Sequence, residues 1–191
     1  MAYTTIDDPG LYFNTVLHTG NGSSQSITGV GFSPDWVWLK VRSITGDHGV
    51  FDTVRGTTKF IRTNKTNAEA TSDSISSFDA DGFTLQAGWN DSGQTFASWN
   101  WLAGGTASSN TDGDVTTSVS ASTTAGFSIC GFTEAGSAPY SFGHGLGVEP
   151  DMVWFKSRGS GSWQIYFKAL GSPSGKLLQL DNTNNPNTAS T

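Results

Sequence analysis

The feature that most constrains this chain is a ten-residue block that occurs twice. Gly31-Phe32-Ser33-Pro34-Asp35-Trp36-Val37-Trp38-Leu39-Lys40 returns 116 residues later as Gly147-Val148-Glu149-Pro150-Asp151-Met152-Val153-Trp154-Phe155-Lys156. Gly29, Val41 and Arg42 carry the register outwards to Gly145, Ser157 and Arg158. Further on, Phe51 lines up with Phe167, and Lys59-Phe60-Ile61 with Lys176-Leu177-Leu178 after a one-residue slip. A second echo, Asp81-Gly82-Phe83-Thr84-Leu85 against Ala125-Gly126-Phe127-Ser128-Ile129, marks another recurring strand start. Self-similarity at a fixed spacing is the signature of one supersecondary unit used twice.

Each copy reads as β structure. The apolar residues of Trp36-Val37-Trp38-Leu39-Lys40-Val41 are nearly continuous, as in a strand covered on both faces. Pro34 and Pro150 stand just ahead of that strand, where a missing N–H is harmless. Asp79-Ala80-Asp81-Gly82 and Asn90-Asp91-Ser92-Gly93 are turns, and the spacing predicts a hairpin over Phe83 to Leu102. Thr66 and Glu69 stand in the spacing of a capping box, which predicts a brief helix over Thr66 to Thr71. The 25 Ser, 24 Thr and 24 Gly favour strands and turns over helices. Strands every 8 to 12 residues, about the spacing of sandwich proteins, point to an all-β chain of two repeated, jelly-roll-like β-sandwich modules. The expected modules are residues 1–105 and 125–191. Between them, residues 106–124 form a Gly/Ser/Thr-rich linker, with a short strand by alternation at Val115 to Ser120. The first copy runs through a closing Trp99-Asn100-Trp101 strand that the second lacks, so the second module reads as incomplete. Its missing strands would come from a longer chain or a neighbouring subunit.

Composition excludes several classes. Charged residues are only 14% of the 191, with net charge -6, and a nucleic-acid binder needs clustered Lys and Arg. No apolar run approaches the roughly 18 to 20 residues of a membrane span. Met1 to Gly10 lacks the basic and apolar regions of a signal peptide, and Cys130 is the only cysteine. These features predict synthesis in a reducing cytoplasm, without disulfides or thiolate zinc.

The set of motifs resembles a family of repeated domains in phage virion proteins, especially those of phages with marine and cyanobacterial hosts. The residues that carry the resemblance are Tyr3-Thr4-Thr5-Ile6-Asp7-Asp8-Pro9, Pro34 to Lys40, Phe51-Asp52-Thr53-Val54-Arg55-Gly56-Thr57-Thr58-Lys59, Ser77 to Phe83, and Trp99-Asn100-Trp101-Leu102-Ala103-Gly104-Gly105. In the second copy they are Ala125 to Ile129 and His144 to Val153. The resemblance implies a non-enzymatic virion component, tail-fibre-like or structural, made in the host cytoplasm. Its implied partners are other tail or capsid proteins and further copies of itself. A head decoration (cement) protein and a carbohydrate-binding module that recognises a host surface glycan are the alternatives.

Candidate chemistry is sparse, and neither a cofactor nor a metal is expected. His18, His48 and His144 share no metal-ligand spacing, and His144 reads as a turn residue. Asp79-Ala80-Asp81-Gly82 and Asp112-Gly113-Asp114 look like fragments of calcium loops but lack the downstream Glu, so Asx turns explain them. Glu69 and Glu134 can be weighed as a glycosidase pair, but acids are few and nothing around them forms an aromatic cleft signature. Of the seven tryptophans, Trp36, Trp38, Trp99, Trp101 and Trp154 are expected in the core. Trp89 and Trp163, beside turns, are the candidates for exposure and for ligand or subunit contact.

Overall fold

The computed structural model describes residues 6–134, 136, 139–170 and 176–183; Tyr3 to Thr5 of the opening motif and the polar tail from 184 lie outside them. Among the described residues the chain is all-β, with short 3-10 turns and no α-helix. In chain order, the first nine strands are β1 (Phe13–Thr19), β2 (Gln25–Thr28), β3 (Trp36–Val41), β4 (His48–Asp52), β5 (Lys59–Arg62), β6 (Ala70–Thr71), β7 (Ile75–Asp79), β8 (Gly82–Leu85) and β9 (Thr95–Trp101).

They form two antiparallel sheets, β1-β9-β3-β4-β5-β6 and β2-β8-β7. Strand alternation aims Val37, Leu39, Phe51, Phe60 and Phe96 of the large sheet at Ile27, Ile75, Phe83 and Leu85 of the small one. All nine are at most 4% exposed. Each such side chain contributes about 1.5–3 kcal/mol by leaving water, so this is the layer that holds the first unit together. Asp35, at the head of β3, is buried beside it. Its carboxylate accepts the backbone N–H groups of Ala103 (2.8 Å) and Gly105 (3.0 Å) and the Thr53 hydroxyl (3.1 Å). One side chain thus ties the starts of β3 and the post-β4 turn to the segment that leaves β9.

The expected hairpin over Phe83 to Leu102 is not formed. β8 and β9 lie in different sheets, and the chain crosses between them through a 3-10 turn at Ala87–Trp89. Two contacts fix the crossing. Trp89 packs edge-on against Phe51 and Phe60, and buried Asn90 donates from Nδ2 to acceptors on Asn21, Ser23 and Gln25. The local hairpin is instead β7–β8, closed by the Asp79 to Gly82 turn. The brief helix over Thr66 to Thr71 is also absent. Gly161 N–H donates to the Thr66 carbonyl and Glu69 N–H to that of Arg158, so long-range bonds hold this stretch extended.

The remaining strands are β10 (Ser108–Asn110), β11 (Thr117–Ser122), β12 (Phe127–Phe132), β13 (Met152–Phe155), β14 (Gln164–Phe167) and β15 (Leu178–Gln179). The expected linker 106–124 therefore holds β10 and β11, which join β12 in one antiparallel sheet, while β13-β14-β15 form another. The latter reproduces β3-β4-β5. Val37 faces Phe51 and Trp38 faces Val50; Val153 faces Tyr166 and Trp154 faces Ile165. Val50 then faces Ile61, and Ile165 faces Leu178. The alignment of Phe51 with Phe167 is thus corrected by one residue to Tyr166, because the second hairpin loop is one residue shorter.

Candidate functional site

Residues directly opposite in a ladder share a face. The registers therefore put Trp36, Trp38, Trp99 and Trp101 together on the outer face of the six-stranded sheet, with Phe13 beside them. These rings are not in the sandwich core, where they were expected; they are half-buried under the β10–β15 sheets. Phe127 stacks on Trp101 at 6.1 Å and meets Trp36 edge-on at 6.2 Å. Trp154 meets Trp38 edge-on at 5.5 Å, so the two tryptophans that match in the repeat touch one another. The outcome is an aromatic seam between the two halves of the chain. In a double-mutant cycle, Trp38→Ala and Trp154→Ala should couple by about 0.5–1.5 kcal/mol, the range for aromatic pairs. Additive losses in urea unfolding would show that the rings do not support each other.

Trp163 and Trp89 are not free platforms. Trp163 is 3% exposed, donates its indole N–H to the Arg62 carbonyl (2.8 Å), and meets Trp154 edge-on. The turn glycine beside it does not expose the ring, because the turn folds down onto β5. Trp89 is half-buried on the edge of the sandwich core.

Charges also bind the halves. Asp52 accepts from the Arg55 backbone and from Arg55 Nε, Arg55 Nη1 lies 3.6 Å from Glu69, and Glu69 takes both Nε and Nη2 of Arg158. Burial pushes the Glu69 carboxyl up, but Arg158, Arg55 and Lys59 outweigh it and hold the group below its usual 4.5. Glu69 is thereby committed to ion pairs with Arg158 and Arg55. Because its folded value lies below the unfolded one, its stabilisation is present above the ordinary glutamate range and lost as pH falls through the folded value. Glu69→Gln should therefore differ most from the parent at neutral pH and converge on it as pH falls below the ordinary glutamate range. Thermal midpoints across that range check this; a constant gap would contradict it.

The other candidate residues are spread out. His18 stacks on Phe96, and burial holds its imidazole below the usual value. His48 lies near Trp38, and His144 is in a turn, where its Nδ1 accepts the Leu146 N–H. Asp81 spends its carboxylate on the N–H groups of Gly29 and Gly31, and Asp114 on Ser141. No group of three His, Cys, Asp or Glu fit to hold a metal occurs among the described residues. Glu134 is exposed.

Sequence reasoning missed where apolar side chains reach the surface. Seven large hydrophobic residues are exposed among the described ones: Leu11, Phe13, Leu17, Ile44, Val148, Met152 and Phe155. All but Ile44 lie on or near β1 and β13, two of the strands that end their sheets and so bond a neighbour on one edge only.

Fold and surface together define an all-β protein whose two halves meet across an aromatic seam and whose apolar surface gathers at open strand edges. The chain belongs to the family described as a domain of unknown function (DUF7483), whose model matches residues 8–191. No curated protein and no solved structure matched it. No helix among the described residues is long and apolar enough to cross a membrane.

Proposed function

We propose that this chain is a non-enzymatic structural protein of a phage particle that acts by assembly, as a tail- or fibre-associated surface component. The observation that carries the assembly reading is the gathering of exposed apolar residues at β1 and β13. Open edges present N–H and C=O groups that pair with other chains, and apolar side chains beside them add area to such contacts. The phage setting rests on the resemblance carried by the Pro-Asp-x-Val-Trp blocks and the Trp99 to Gly105 motif. The engagement of Glu69 by two arginines and of Asp81 and Asp114 by backbone N–H groups and Ser141 agrees with a structural role.

The test is mass spectrometry of purified particles, followed by localisation with labelled antibody in electron micrographs. The expected result is the protein in the particle, with label on the tail. Label on the shell would favour the head-decoration alternative. Absence from particles would overturn the proposal, and polysaccharide turnover abolished by Glu134→Gln would establish an enzyme instead.

A further inference from the structure

We infer that the open edge of β13 is a docking site for an extended strand of a neighbouring protein chain, one with the side-chain alternation of β9. The inference rests on the assembly reading only in assigning the chain a protein partner, and it stands without the virion.

The edge is defined by hydrogen-bond direction. Lys168 N–H donates to the Asp151 carbonyl (2.8 Å), as Thr53 N–H donates to that of Asp35 (3.0 Å). Successive residues of an antiparallel ladder turn their backbone groups to opposite edges. Val153 and Phe155 therefore bond towards β14, and the N–H and C=O groups of Met152 and Trp154 point the other way. On the matching edge of β3 these groups meet β9: Trp36 faces Trp101, Trp38 faces Trp99, and Arg42 N–H donates to the Thr95 carbonyl (2.7 Å). On β13 no described strand takes that place.

Burial differs between the two strands, β3 being covered by the core layer as well as flanked by β9. Val37 and Leu39, flanked by β9, are fully buried, whereas their counterparts Val153 and Phe155 are half-buried and 37% exposed. Protection differs as well. The open edge of β1 is partly closed by its own surroundings, for Asn14 Oδ1 accepts the Thr15 N–H and Gln25 donates to the Thr19 carbonyl. Met152 to Phe155 contain neither the proline nor the lysine that commonly guards an edge.

The occupant is specified by β9. That strand turns Ala97, Trp99 and Trp101 to the seam and Phe96, Ser98 and Asn100 to the core, and Trp99 packs on Trp38 at 5.5 Å. A donated strand with aromatic residues at alternate positions would place a ring against Trp154 in the same way. Its backbone would pair with Met152 and Trp154, the strand-addition mode of peptide recognition.

The probe is a fluorescein-labelled peptide of residues 93–104 added to the intact chain, read by anisotropy. Saturable binding with a Kd of about 1–100 μM is expected, since the ladder is short. The same peptide carrying Trp99→Ser and Trp101→Ser should bind at least about tenfold more weakly, having lost its rings. Met152→Pro removes one open-edge N–H and no bond to β14, and should weaken binding of the parent peptide by at least about tenfold. An unchanged unfolding midpoint verifies that variant's fold. Hydrogen exchange on the unmodified chain reads the same edge without mutation: the Met152 and Trp154 amides should slow when peptide is bound. No saturable binding, or binding without slowing of those amides, overturns the inference. Absence of the protein from phage particles would overturn the function proposed above and leave this result intact.

Discussion

Asp35→Ala should lower the unfolding free energy by about 3–5 kcal/mol, while Asp151→Ala, the same change at the repeat-matched position, should stay within about 0.5 kcal/mol. The asymmetry follows from what each carboxylate touches. Asp35 is 3% exposed and receives two backbone N–H groups and a hydroxyl. Removing it leaves those donors buried without acceptors, and each orphan costs about 1–3 kcal/mol. The Asp151 side chain is 83% exposed, with only a 3.8 Å contact to Lys168, so its loss is absorbed by water. Asp35→Asn should recover much of the loss, since its oxygen can take the two N–H groups that share Oδ2 and its amide can donate to Thr53. Urea midpoints at constant slope measure all three. Equal losses at positions 35 and 151 would refute the contrast.

Phe51→Ala should cost about 3–5 kcal/mol, as for truncating a fully buried aromatic that neighbours cannot replace. Phe51 is fully buried between Phe60 (5.9 Å) and Trp89 (5.4 Å), at the centre of the sandwich. Its counterpart Tyr166 is only half-buried, so Tyr166→Ala should cost less than half as much by the area it removes from water. Denaturant unfolding ranks the two. A larger loss at Tyr166 would place the stabilising core in the wrong half of the chain.

Much of the fold was legible because it is written locally. Trp36 to Val41 carries apolar residues at every position but one, and the structure covers that strand on both faces, by the core at Val37 and Leu39 and by the seam at Trp36 and Trp38. The turn at Asp79 to Gly82 was equally plain, since Gly82 comes so close to the Ile27 carbonyl that a side chain there would collide with it. What misled was proximity in sequence. β8 and β9 read as a hairpin because they are neighbours in the chain, yet β9 pairs with β1 and β3, whose residues are about 50 to 90 positions away. The tryptophans misled for a related reason. A large apolar ring on a strand must be covered, but alternation does not say whether the sandwich core or a second unit covers it.

The sequence by itself determined the all-β class, the strand at each Pro-Asp-x-Val-Trp block and the equivalence of the two blocks, because side-chain period and turn residues act within a few positions. Only the tertiary structure decided that β9 lies between β1 and β3 and that Trp38 and Trp154 face each other. Those outcomes depend on which distant segments meet. The free energy that selects them, apolar area and backbone groups removed from water, is a property of pairs of surfaces that no single stretch of chain contains.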